Sequence, residues 1–115
     1  MIVTFWTSKS GRCPVADFIA KQHKAAAQRI MKDIDHLEQQ GLKLAISPNK
    51  LKPLQGYKKL YELKTDWGGV GYRIIFAIID GKAWLLEAFK KKGNSTPQRH
   101  IDTALRRQVT IASAD

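Results

Sequence analysis

The chain has 115 residues, 43% of them apolar, and carries 20 Lys and Arg against 10 Asp and Glu, for a net charge of +10. That length suits one domain over 1–115 with a modest core, and the basic excess points to nucleic acid, ribosomal RNA, an anionic membrane surface or an acidic protein as partner. The single cysteine, Cys13, excludes an intramolecular disulfide and a cysteine-based zinc cluster, and no apolar run approaches the ~20 residues of a membrane helix. Met1 to Trp6 lacks the basic start and cleavage pattern of a signal peptide, so the cytoplasm is the expected location, with no membrane partner.

In chain order, Ile2 to Trp6 is rich in β-branched and aromatic residues and reads as a strand, broken by Ser8-Lys9-Ser10-Gly11. Pro14 suits the first turn of a helix whose apolar stripe is Val15, Phe18 and Ile19. A second helix is predicted from about Lys24, with Ala26, Ala27, Ile30, Ile34 and Leu37 at helical spacing and Gly41 ending it. Over 42–59, Pro48, Asn49, Pro53 and Gly56 argue for loop.

From Leu60 the period changes to that of strands. Leu60 to Thr65, Val70 to Ile79 and Ala83 to Lys90 are predicted as consecutive strands, turned at Gly68-Gly69 and Asp80-Gly81. Ser95-Thr96-Pro97 is expected to cap a last helix, with Ile101, Ala104, Leu105 and Val109 facing the core, and Ala112 to Asp115 to fray. The predicted architecture is α+β: two N-terminal helices on one side of a curved, mainly antiparallel four-stranded sheet, followed by a C-terminal helix.

Strand alternation allows one open face to collect Glu62, Lys64, Arg73, Glu87 and Lys91, with Lys90 pointing the other way. Such a group suits RNA cleavage without a metal. The ribose 2′-hydroxyl attacks the adjacent phosphate, and charge builds on the phosphate oxygens. A planar guanidinium binds two such oxygens at once. A lysine among other cations has a lowered pKa and serves as acid or base. Glu62 and Glu87 read as orienting their basic neighbours. His23, His36 and His100 are scattered and form no metal-ligand pattern.

Each of these residues also has a plainer reading. Arg73 suits a surface arginine paired with Glu62 or Glu87 across the sheet. Lys90-Lys91-Lys92 suits a solvated strand end, and Lys50, Lys52, Lys58 and Lys59 a solvated loop whose charge steers the protein to RNA. Trp6 and Trp84 read as core residues, and Trp67, flanked by Gly68, as core or exposed platform.

Leu60-Tyr61-Glu62-Leu63-Lys64, Gly71-Tyr72-Arg73-Ile74-Ile75-Phe76, Glu87-Ala88-Phe89-Lys90-Lys91-Lys92 and Thr96-Pro97 together resemble the RelE/ParE toxin superfamily, in particular its HigB-like, phage-associated members. The resemblance implies a RelE-like, microbial RNase-like fold and no cofactor. It also implies ribosome-dependent mRNA cleavage on the 70S ribosome and a cognate antitoxin, of helix-turn-helix type, encoded next door. By position it makes Arg73 the phosphate-stabilising arginine and Lys64 and Lys91 the further basic residues of the site; Lys58, Lys59, Lys90 and Lys92 are expected RNA contacts on their charge alone. Lys64 stands where the family usually has arginine. The C-terminal tyrosine or histidine of some members has no clear counterpart, although His100 lies in roughly the right region. Two other activities remain open on this sequence: gyrase inhibition of the ParE kind, and RNA binding without cleavage.

Overall fold

The computed structural model describes residues 1–46, 49–93 and 95–111. Strand β1 (Ile2–Phe5) leads to helices α1 (Pro14–Ala20) and α2 (Lys24–Gln40) and a 3-10 turn (Gly41–Ile46). Strands β2 (Leu51–Pro53), β3 (Leu60–Trp67), β4 (Val70–Ile79) and β5 (Lys82–Lys91) and helix α3 (Gln98–Gln108) follow. The class is α+β, as the sequence predicts. The expectations for Pro48 and for Ala112 to Asp115 lie outside the described residues.

The sheet has five strands in the order β1-β5-β4-β3-β2, not the expected four. The extra strand lies inside the stretch read as loop. It is too short to show a period, and its closing Pro53 is tolerated because it sits on the sheet edge. Leu51 nevertheless anchors it as a core residue, 1% exposed. β1 pairs in parallel with β5, and the other pairings are antiparallel. The Gly68-Gly69 and Asp80-Gly81 turns form as predicted, with all four residues at positive φ.

Helices cover both faces of the sheet, which corrects the one-sided packing expected from the sequence. α1 and α2 bury Val15, Ile19, Ile30, Ile34 and Leu37 against Leu63, Tyr72, Ile74, Phe76 and Leu85. α3 buries Ile101 and Ala104 on the opposite face, against Leu60, Ile75, Ala77, Leu86 and Phe89, whereas Val109, expected to face the core, lies past the last turn as the C-cap and is 83% exposed. Nothing in the periodicity of α3 says which side of the sheet its apolar stripe will choose. Each large apolar side chain so buried contributes about 1.5–3 kcal/mol.

Two local details matter for the site. A bulge in β5 sets Ile75 opposite Glu87 and Phe76 opposite Leu85, leaving Leu86 as the extra residue. Thr96 does not cap α3 as expected: Pro97 is the N-cap and no side-chain capping bond is made. The Thr96 hydroxyl donates instead to Glu62.

Candidate active site

Register on three strands assembles one polar face. Lys64 on β3 lies opposite Arg73 on β4, and Arg73 lies opposite Phe89 on β5. Glu62 pairs with Ile75, which pairs with Glu87, and Gly71 pairs with Lys91. Glu62, Lys64, Arg73, Glu87 and Lys91 therefore share a face, as the alternation predicts. β2 adds Lys52, opposite Glu62.

The centre of this face is the Glu62 carboxylate, which is 0% exposed. Its Oε1 lies 3.5 Å from Arg73 Nε, 3.5 Å from Lys91 Nζ and 4.0 Å from Lys52 Nζ. A buried carboxylate ringed by cations fixes long, flexible side chains in one arrangement, and this answers the desolvation cost of burying its charge. Glu62 thus orients its basic neighbours. Thr96 ties the β5–α3 connection to the same carboxylate.

Arg73 lies along the sheet. Its Nη1 donates to Asp66 Oδ1 at 2.9 Å and to the Tyr72 carbonyl at 3.0 Å. Gly71 makes this possible: a Cβ there would meet Nη1, Nη2 and Cζ of Arg73 at 3.1, 3.2 and 3.3 Å. The Arg73 side chain is 12% exposed.

Two lysines have lowered pKa values. Lys64 is lowered by partial burial first, then by Lys52 and Arg73, with Glu62 and Asp66 opposing. Lys91 is lowered by burial first, and then Glu62 opposes the shift while Lys52 and Arg73 add to it. Both therefore give up a proton more readily than a free lysine.

Glu87 and His100 form a flanking group. Glu87 Oε2 lies 3.0 Å from His100 Nδ1, and Arg107 Nη1 donates to Glu87 Oε1 at 3.1 Å and to the Leu86 carbonyl at 2.7 Å. The His100 ring stacks on Phe89, centroids 4.1 Å apart, and Phe89 is the register partner of Arg73. His100 thus packs on the residue that neighbours Arg73 in the sheet.

Other expected contacts fall elsewhere. Lys58 and Lys59 sit in the turn before β3, where Lys59 pairs its carbonyl with Ile78. They are exposed at the end of β3 remote from Lys64, about 17 Å along a strand. Lys90 is exposed on the opposite face, beside Tyr72, and Lys92 is exposed beyond β5. Trp67 ends β3 rather than sitting in the turn, and stacks on His23 at 5.0 Å. Sequence reasoning passed over Lys52, Asp66 and Thr96 as parts of the site. Gly71 carried a legible signal, since a glycine inside a strand marks a close approach.

Among the described residues no three His, Cys, Asp or Glu side chains are grouped to hold a metal ion, and no helix is long and apolar enough to cross a membrane. No curated protein matches the chain. A family model described as Phage derived protein Gp49-like (DUF891) matches residues 17–109, a span that runs from α1 through α3 and takes in the whole Glu62-centred face. The chain belongs to this Gp49-like, phage-derived family, a RelE/HigB-like family associated with the toxins of toxin–antitoxin systems.

Proposed function

We propose that this protein is the toxin of a type II toxin–antitoxin pair and acts as an endoribonuclease on mRNA held by the 70S ribosome. The observation that carries this reading is the Arg73 guanidinium, fixed by Glu62 and Asp66 with Lys64, Lys91 and Lys52 around it. Four cations against two carboxylates leave a positive site matched to a phosphodiester.

In the proposed reaction the 2′-oxygen bonds to phosphorus and the bond from phosphorus to the 5′-oxygen breaks. The products are a 2′,3′-cyclic phosphate and a 5′-hydroxyl end. Arg73 faces the phosphate oxygens as they gain charge. One of Lys64 and Lys91, deprotonated, takes the 2′-proton. The other, protonated, gives a proton to the departing 5′-oxygen. Their lowered pKa values bring both forms closer to working pH. Glu62 positions the cations, and His100, held by Glu87, flanks the site as a second acid–base group. The cell's cytoplasm is the expected setting, and a helix-turn-helix antitoxin encoded by a neighbouring gene the expected silencing partner.

The test is incubation of end-labelled mRNA with the purified protein, with and without programmed 70S ribosomes. Cuts that require the ribosome and leave cyclic phosphate ends support the reading. Inhibition of gyrase supercoiling without RNA cuts would replace it by the ParE-like activity, and RNA binding alone by a binding module.

A further inference from the structure

A second cationic feature lies outside the Glu62-centred face. Where β1 stops at Phe5, β5 runs on to Lys91, and the loop after β1 turns away to reach α1. This leaves an open cleft of about 500 Å³ at the sheet edge, lined in part by Trp6, Arg12, Asp17, Phe18, Lys21 and Arg107. Three cations face a single carboxylate there. Arg12 and Lys21 are exposed, and Trp6 and Phe18 are half-buried.

Trp6 is held as a platform. Its indole N–H donates to Thr110 Oγ1 at 2.8 Å, and the Arg107 guanidinium lies over the ring at 5.1 Å. A second open cleft, of about 360 Å³, lies against the same tryptophan and brings in Lys9. Trp6 thus packs on the second core, as its strand position predicts, and also forms a wall shared by two open clefts. Arg107 also bonds Glu87, which bonds His100, so the platform is joined by contacts to the flank of the candidate active site.

We infer that the Trp6 cleft is a binding site for single-stranded RNA, separate from the face that would cut it. A base stacks on the Trp6–Arg107 platform, and Arg12, Lys21 and Lys9 take the phosphates on either side. Fixed aromatic surface with cations spaced around it recognises nucleotides without regard to sequence. An acidic peptide would satisfy the cations but has no use for a prepared stacking surface. The site rests on the proposed RNA chemistry for its purpose, while its existence is measurable without ribosome or cleavage.

The experiment is fluorescence anisotropy of a fluorescein-labelled RNA decamer with the full chain across a salt series. Arg12→Glu/Lys21→Glu changes two exposed side chains. It is expected to weaken binding about tenfold and to reduce the salt slope by about 1.4, the loss of two phosphate contacts on a single strand. Trp6→Leu is expected to weaken binding about tenfold, and Trp6→Phe to keep most of it. Arg73→Ala should leave the difference between wild type and the double variant in place. Wild-type affinity and slope in the double variant would overturn the inference. So would loss of binding to an octaglutamate peptide, with RNA binding intact, which would make the cleft a protein-docking surface. If mRNA is never cut but the RNA dependence on Arg12, Lys21 and Trp6 holds, the proposed activity fails and this site stands.

Discussion

Replacing Glu62 by Gln keeps the shape of the side chain and removes its charge. The carboxylate is fully buried and sits 3.5 Å from Arg73 Nε, 3.5 Å from Lys91 Nζ and 4.0 Å from Lys52 Nζ. At an effective dielectric of 20, a pair at 3.5 Å is worth roughly 5 kcal/mol before desolvation is subtracted. Three such pairs do not add, because burial of the charges and repulsion among the cations cancel most of the sum. What remains is the cost of leaving close, poorly hydrated cations without their counter-charge, about 3–5 kcal/mol. That is a large fraction of the 5–15 kcal/mol that holds a domain of this size together. The assay is urea unfolding followed by circular dichroism, and the midpoint should fall by about 2 M with an unchanged slope. In the double variant Glu62→Gln/Lys91→Met, part of the loss should be recovered, because one stranded cation is gone. A loss below about 1 kcal/mol, the range of an exposed ion pair, would refute the view that Glu62 is the anchor of the site.

Three further outcomes are expected. Gly71→Ala places a Cβ 3.1 Å from Arg73 Nη1, so the guanidinium must give way by a few tenths of an ångström. Ribosome-dependent cleavage should fall severalfold while the melting temperature moves little, since a small displacement of the guanidinium is felt by chemistry before it is felt by folding. Thr65→Val removes the hydroxyl that donates to the buried Asp33 carboxylate at 2.6 Å, and equilibrium unfolding should show a loss of about 1–3 kcal/mol. Lys64 has a folded-state pKa below the ordinary 10.5, so the folded protein binds fewer protons than the unfolded chain in the window just under that value. Stability should therefore rise with pH through that window, and the rise should shrink in Lys64→Met, measured by urea unfolding at several alkaline pH values.

Much of the site was legible because it lies on the meander. β3, β4 and β5 are long enough for a period of two to show, and Gly68-Gly69 and Asp80-Gly81 mark where the chain reverses. Alternation then allows Glu62, Lys64, Arg73, Glu87 and Lys91 one face, and the register between the strands places them there. The parts that were not legible depend on tertiary context. Three residues of β2 show no period, so Lys52 read as a loop residue although it pairs with Glu62. Thr96 had the sequence of a helix cap, yet the pull of a buried carboxylate takes its hydroxyl elsewhere. Trp6 read as core and does pack on the second core, but that it also lines a cleft depends on the early end of β1 beside a longer β5. The opposite placement of α3 and α1/α2 follows from chain connectivity over the sheet, which no single helix records.

The central claim is that Arg73 stabilises a phosphate during RNA cleavage on the ribosome. The most direct measurement is single-turnover cleavage of labelled mRNA on programmed 70S ribosomes by wild type, Arg73→Lys and Arg73→Ala, with ribosome binding measured alongside. The account predicts cyclic phosphate ends from wild type, a rate lower by roughly 10²–10³ in Arg73→Ala, and partial activity in Arg73→Lys, because one charged donor remains where two were aligned. Ribosome binding by Arg73→Ala should stay near that of wild type. Equal cleavage rates in all three proteins, or no cleavage by wild type on the ribosome, would contradict the account.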